Sequence, residues 1–149
     1  TTFVDTDDLV QQVEGKTVQQ IVEASGWETF RQLEKQALKS TLSLKNAVVS
    51  TGGGIVLDPE NRSWLRSGGR CIWLYASDHI IFERLKNDAK TDELRPRLSE
   101  LELLEETRQI MQQRHPLYEM IHHVKINTGE ISVSECVNTI CGRLKDVRI

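Results

Sequence analysis

Strands alternating with helices predict an α/β fold, a three-layer α/β/α arrangement around a central parallel sheet. Two observations carry this. Ala47-Val48-Val49-Ser50 and Cys71-Ile72-Trp73-Leu74 are short and nearly all apolar, as expected of strands covered on both faces. The stretches between such runs keep helical rather than alternating period. The 149 residues are expected to form a single domain, 1–149, long enough to bury a sizeable core.

The elements follow in order. Thr2-Phe3-Val4 is a strand-like run leading into Asp5-Thr6-Asp7-Asp8. Leu9, Val10 and Val13 then recur at helical spacing, with Asp7 or Asp8 as the expected cap and Gly15 as the stop. Thr17 caps a second helix carrying Val18, Ile21 and Val22, which Gly26 ends. Phe30, Leu33, Ala37, Leu38 and Leu42 keep helical period in a longer one. After the strand at 47–50, Pro59 marks a helix start, with Trp64 and Leu65 as that helix's apolar residues. Asp78 begins a helix with Ile80, Ile81 and Leu85 beyond the strand at 71–74. Residues 87–98 are polar, without periodicity, and read as a mobile loop. A long helix from about Ser99 to Tyr118, a last strand Val124-Lys125-Ile126 and a last helix from Val133 to Leu144 complete the chain.

The composition excludes some classes of function. A net charge of −3 disfavours general affinity for nucleic acid or anionic membranes, so an anionic ligand must be held by local arginines. The three cysteines, Cys71, Cys136 and Cys141, are odd in number and form no CxxC pair. They read as reduced thiols in a cytoplasmic protein, the last two packed as small apolar residues. No signal peptide is visible, and no apolar run nears the ~18 residues of a membrane span.

Several motifs carry chemistry, each beside a plainer reading. Val49-Ser50-Thr51-Gly52-Gly53-Gly54 lies at a strand's C-terminal end, where open α/β sheets bind ligands. Its glycines let backbone N–H groups approach a ligand closely; the plainer reading is an ordinary turn. Asp5-Thr6-Asp7 also follows a strand, and alternation sends Asp5 and Asp7 to one side. One carboxylate suits a magnesium ion and the other a substrate hydroxyl, unless the segment is simply a helix cap. Arg31 stands three residues before Glu34, the spacing of a surface ion pair. Arg95 and Arg97, in Leu94-Arg95-Pro96-Arg97-Leu98, either close over a phosphoryl group or sit in solvent. Arg114, in Arg114-His115-Pro116-Leu117-Tyr118, either grips a carboxylate bidentately or favours the helix C-terminal dipole. His122-His123 are adjacent, so their side chains diverge and make a poor metal pair. Gly15-Lys16-Thr17 imitates the end of a Walker A loop, but Val10 stands where its first glycine belongs and a helix precedes it.

Taken in order, these pieces resemble the shikimate kinase family across essentially the whole chain. The segments that carry the resemblance are Phe3-Val4-Asp5-Thr6-Asp7, Gly26 with Glu28-Thr29-Phe30-Arg31 and Glu34, Val48 to Gly54, Arg95-Pro96, and Arg114 to Tyr118. It implies a P-loop kinase architecture of the nucleoside monophosphate kinase type. It also implies transfer of the ATP γ-phosphoryl group to the 3-hydroxyl of shikimate, with Mg²⁺, in aromatic amino acid biosynthesis. By resemblance, Asp5 and Ser50 serve the metal, and Asp7 orients or deprotonates the attacking hydroxyl. Arg31 and Arg114 clamp the shikimate carboxylate, and Gly52, Gly53 and Gly54 line the substrate side. Arg95 and Arg97 reach the nucleotide from the lid, about 87–98, and Arg95 stabilises the charge in transfer. Asn127-Thr128-Gly129-Glu130 is the expected adenine region. The expected partners are shikimate and ATP, without nucleic acid or membrane, and the expected state is a monomer.

The chain departs from the family pattern in two places. Arg97 stands where the family usually has leucine. The family's opening strand, Walker A loop and helix have no counterpart before Phe3, and the resemblance implies that they lie upstream in the natural protein. Two alternatives stay open: a catalytically inactive module that keeps the shikimate pocket, and a related kinase of a small hydroxylated acid such as gluconate.

Overall fold

A computed structural model describes residues 1–88 and 100–146. The lid arginines Arg95 and Arg97 lie outside the described residues. The chain divides into two compact units, residues 1–68 and 69–149.

The first unit runs β1 (Thr2–Asp5), α1 (Thr6–Glu14), α2 (Val18–Thr41), β2 (Ala47–Ser50), a 3-10 helix (Gly53–Leu57) and α3 (Pro59–Gly68). β1 and β2 pair in parallel, with Phe3 opposite Val48 and Asp5 opposite Ser50, so the last residues of both strands reach one sheet end together. Gly15 adopts the left-handed conformation that stops α1, its N–H donating to the Gln11 carbonyl. Thr17 opens α2 with a reciprocal capping box to Gln20. Gly15-Lys16-Thr17 is therefore a helix stop and start, as its context predicts. At Gly26 the backbone leaves helical geometry (φ 79°, ψ 169°), and α2 turns there into a second helical stretch.

Val10, Ile21, Phe30 and Ala37 form the unit's core, with Leu9, Val18, Val22 and Leu33 packed around it. Burying a side chain of the larger kind contributes about 1.5–3 kcal/mol. The sheet is less covered than the all-apolar β2 predicts. Phe3 and Val48, register partners on one face, are both more than half exposed. At the start of α3, Asp58 accepts from the N–H groups of Glu60 and Asn61 and also pairs with Lys35 at 2.9 Å. The lysine and these backbone donors hold the Asp58 carboxyl below its ordinary range.

The second unit runs β3 (Ile72–Tyr75), α4 (Asp78–Lys86), α5 (Glu100–Ile121), β4 (Val124–Asn127) and α6 (Val133–Asp146). β3 and β4 are again parallel, with Trp73 opposite Lys125. The Lys125 ammonium lies 4.1 Å from the Trp73 ring centre, and His115 of α5 meets that ring edge-on at 5.3 Å. Ser77 caps α4 through the Ile80 N–H, and Ser132 with Glu135 does the same reciprocally for α6. α5 continues past Pro116 to Ile121, three residues beyond its expected end. Of the two helical cysteines, Cys136 is half-buried but Cys141 is exposed, so only the first packs as expected.

Both sheets are parallel, as predicted. Among the described residues the strands form two separate pairs, one in each unit. No helix among the described residues is long and apolar enough to cross a membrane.

Candidate functional site

The site of the first unit begins at the junction of β1 and α1. Sequence alternation places Asp5 and Asp7 on one side of a strand; in the structure Asp7 already belongs to the first turn of α1. The cap is Asp5, not Asp7 or Asp8: its Oδ1 accepts from the Asp7 N–H at 2.9 Å. The two carboxylates still feel one another, through cap geometry rather than strand alternation. Burial first, then the nearby charge of Asp5, pushes the Asp7 carboxyl above its ordinary range, with Arg31 acting in the opposite direction. Asp7 Oδ1 is buried and has no hydrogen-bond partner among the described residues.

Arg31 and Glu34 are not the surface ion pair that their spacing suggests. Glu34 is only 1% exposed, and its Oε2 accepts from Arg31 Nη1 at 2.5 Å. The glycine turn closes around these side chains. A Cβ at Gly52 would lie 2.7 Å from Glu34 Oε1 and 3.4 Å from Asp7 Oδ1. A Cβ at Gly54 would collide with the Arg31 guanidinium itself. Neither glycine has positive φ, so both are required by space and not by backbone conformation. Gly53 begins the 3-10 helix between them and the α3 start.

Asp5, Asp7, Arg31, Gly52 and Gly54 are thus brought to one place in this unit, with Ser50 in register beside Asp5. Glu34 joins them as the residue that sequence reading undervalued. Its signal is a carboxylate at i+3 from the arginine, which becomes decisive only once burial is known. The oxygen donors of Asp5 and Ser50 suit Mg²⁺, which takes one or two protein oxygens and completes its shell with water and phosphate. Among the described residues no cluster of three or more His, Cys, Asp or Glu side chains forms a metal cage.

The second unit holds Arg114 and the region after β4. Arg114 lies in α5 two turns before its end, so the dipole explanation is weak. Its Nε is buried with no hydrogen-bond partner among the described residues. An unpaired guanidinium N–H away from water is costly, and an anionic ligand would satisfy it. Arg84 Nη1 donates to Thr128 Oγ1 at 3.0 Å and Nη2 to the Thr128 carbonyl at 2.8 Å, fixing α4 to the loop 127–130. An open cavity of about 670 Å³ lies along the same helix, lined by His79, Ile80, Glu83, Arg84, Asn87 and Asp88. His122 and His123 diverge as expected. His122 Nδ1 faces the Tyr118 carbonyl, and His123 Nδ1 accepts from the Cys71 N–H.

Comparison with known proteins adds an independent finding. The shikimate kinase family profile matches residues 1–145. A shikimate kinase of Syntrophus aciditrophicus is 38% identical over 154 residues, covering 98% of this chain and 79% of the relative. A shikimate kinase 2 of Photorhabdus laumondii is 42% identical over 124 residues, covering 83% of this chain and 70% of that protein. Among solved structures, a shikimate kinase from Acinetobacter baumannii in complex with shikimate superimposes with a TM-score of 0.87 at 27% identity, covering 97% of this chain and 79% of that one.

Proposed function

The chain belongs to the shikimate kinase family, and we propose that it phosphorylates the 3-hydroxyl of shikimate through the site built on Asp7, Arg31 and the Gly52–Gly54 turn. The observation that carries this is the Arg31 guanidinium, held by the buried Glu34 against Gly54, in the field of the Asp7 carboxylate. A cation and a hydrogen-bond acceptor so arranged suit a small acid bearing a carboxylate and hydroxyls.

Phosphoryl transfer depends mainly on positioning and charge stabilisation. Arg31 holds the substrate carboxylate; in the second unit, the buried Nε of Arg114 calls for an anionic acceptor. Asp7 accepts the hydrogen bond of the attacking hydroxyl. That oxygen bonds to the γ-phosphorus of ATP, the bond to the β-phosphate oxygen breaks, ADP leaves, and Asp7 takes the hydroxyl proton. A carboxyl whose proton affinity burial has raised is better matched to that proton than an ordinary one. Asp5 and Ser50 are the residues to hold Mg²⁺, which supplies charge neutralisation on the phosphates. The cavity along α4 and the loop 127–130 pinned by Arg84 receive the adenine end of ATP. Arg95 and Arg97 act from the lid, Arg95 on the charge in transfer.

Residues 1–149 act as one domain in this reading. The protein is a cytoplasmic monomer without nucleic-acid or membrane partners, as the net charge of −3 favours. The test is shikimate-dependent ADP formation from Mg·ATP by the full natural polypeptide. The full polypeptide turns over, and Asp7→Asn lowers kcat by about 10²–10⁴-fold. Shikimate binding without turnover in the full polypeptide would make it an inactive binding module instead.

A further inference from the structure

We propose that Trp27 is a positioning residue for Arg31, an aromatic wall that holds the guanidinium ready for the substrate carboxylate; this rests on the reading of Arg31 given above. Trp27 is 53% exposed and stands outside the core that Phe30 belongs to. Core packing therefore does not account for so large an apolar side chain at this position. Its contacts do. The ring meets Phe30 edge-on, with centroids 5.9 Å apart and planes at 81°. The Arg31 guanidinium carbon lies 5.4 Å from the Trp27 ring centre and 5.4 Å from that of Phe30.

The geometry originates in the backbone. Gly26 breaks α2, and the helix that resumes after it places Trp27 one turn before Arg31, at i and i+4. The guanidinium is thereby bounded by Glu34, by two aromatic rings and by Gly54. Arginine carries several rotatable bonds, and ordering it on binding would weaken affinity. Phe30 is fixed by the core and supplies one of the two rings at 5.4 Å from the guanidinium carbon. Trp27 supplies the second at the same distance, and a tryptophan face is the most favourable aromatic partner for a cation.

The test uses the full natural polypeptide and compares wild type, Trp27→Ala, Trp27→Phe, Arg31→Ala and the double variant Trp27→Ala/Arg31→Ala. Circular dichroism and melting first establish that each is folded. Shikimate Kd is measured by calorimetry, and KM for shikimate and for ATP by steady-state kinetics. In the unliganded protein, the ¹H shift of Arg31 Hε reports the ring above it.

Trp27→Ala is expected to raise the shikimate Kd and KM about fivefold, leaving the ATP KM within twofold, while Trp27→Phe recovers most of the loss. Arg31 Hε moves downfield in Trp27→Ala, and Trp27→Ala adds no further loss on the Arg31→Ala background. Equal losses with and without Arg31, or an unchanged Kd in a folded Trp27→Ala, overturn the positioning role although wild type binds. A wild type that does not bind shikimate at all overturns the functional reading, and the substrate-directed role of Trp27 falls with it.

Discussion

At the scale of single residues, Asp7 sets function against stability. Its folded-state carboxyl lies above the ordinary carboxylate range because of burial and the charge of Asp5. For a group raised on folding, the favourable contribution is fully present below the unfolded pKa and is lost as pH rises through the folded one. At neutral pH the ionised Asp7 therefore weakens the fold. Asp7→Asn should raise Tm at pH 7 while lowering kcat by about 10²–10⁴-fold, and the gain over wild type should vanish as pH falls below the ordinary carboxylate range. Melting curves from pH 3 to 8 check this; a Tm that falls at pH 7 would show that the carboxylate stabilises the fold. Gly54 is the second case. Its substitution by Ala drives a Cβ into the Arg31 guanidinium, which is the far end of a flexible side chain and swings aside. The fold survives, but the charge-assisted grip on the substrate is lost. Titration of shikimate should show a Kd raised about tenfold or more.

At the scale of elements, much was legible in the sequence because local rules decide it. Gly15 and Thr17 punctuate α1 and α2 through a left-handed stop and a capping box that depend on neighbours only. Pro59 and the apolar runs at β2 and β3 are equally local. What eluded sequence reading depends on contacts made later. Thr6 begins a helix directly after the strand, so the cap falls on Asp5 and the strand-alternation argument for Asp7 fails, although the two carboxylates still share a site. Arg31–Glu34 has the spacing of an exposed pair; only the closing of the Gly52 turn over Glu34 makes it a buried one. Trp27 has no motif at all.

Gly26 ties these observations to a prediction. Its φ and ψ fall in a region essentially reserved for glycine, and nothing lies where a Cβ would sit. Gly26→Ala therefore acts through the backbone alone and costs about 1–3 kcal/mol. Because Trp27 and Arg31 follow the turn directly, denaturant unfolding should show that loss together with a raised KM for shikimate. A stability loss with an unchanged KM would show that the turn does not aim the arginine.

At the scale of the whole molecule, the substrate itself becomes a stabilising term. A ligand that binds the folded but not the unfolded chain adds RT ln(1 + [L]/Kd), about 2.7 kcal/mol at a hundredfold excess over Kd. For a protein of this size each kcal/mol moves Tm by about 2–4 °C, so saturating shikimate should raise Tm by about 5–10 °C. The shift should grow with the logarithm of concentration and persist without nucleotide, because the arginine and carboxylate of the first unit need none. Gluconate, an open-chain acid, cannot present a carboxylate and vicinal hydroxyls in the fixed ring geometry that Arg31 and Asp7 are built to meet, and should leave Tm within a degree or so. A gluconate shift as large as that of shikimate would move the substrate assignment to a different small-acid kinase, while leaving Arg31 as the carboxylate anchor. Arg31→Ala should remove the shikimate shift, because the group that anchors the substrate carboxylate is gone.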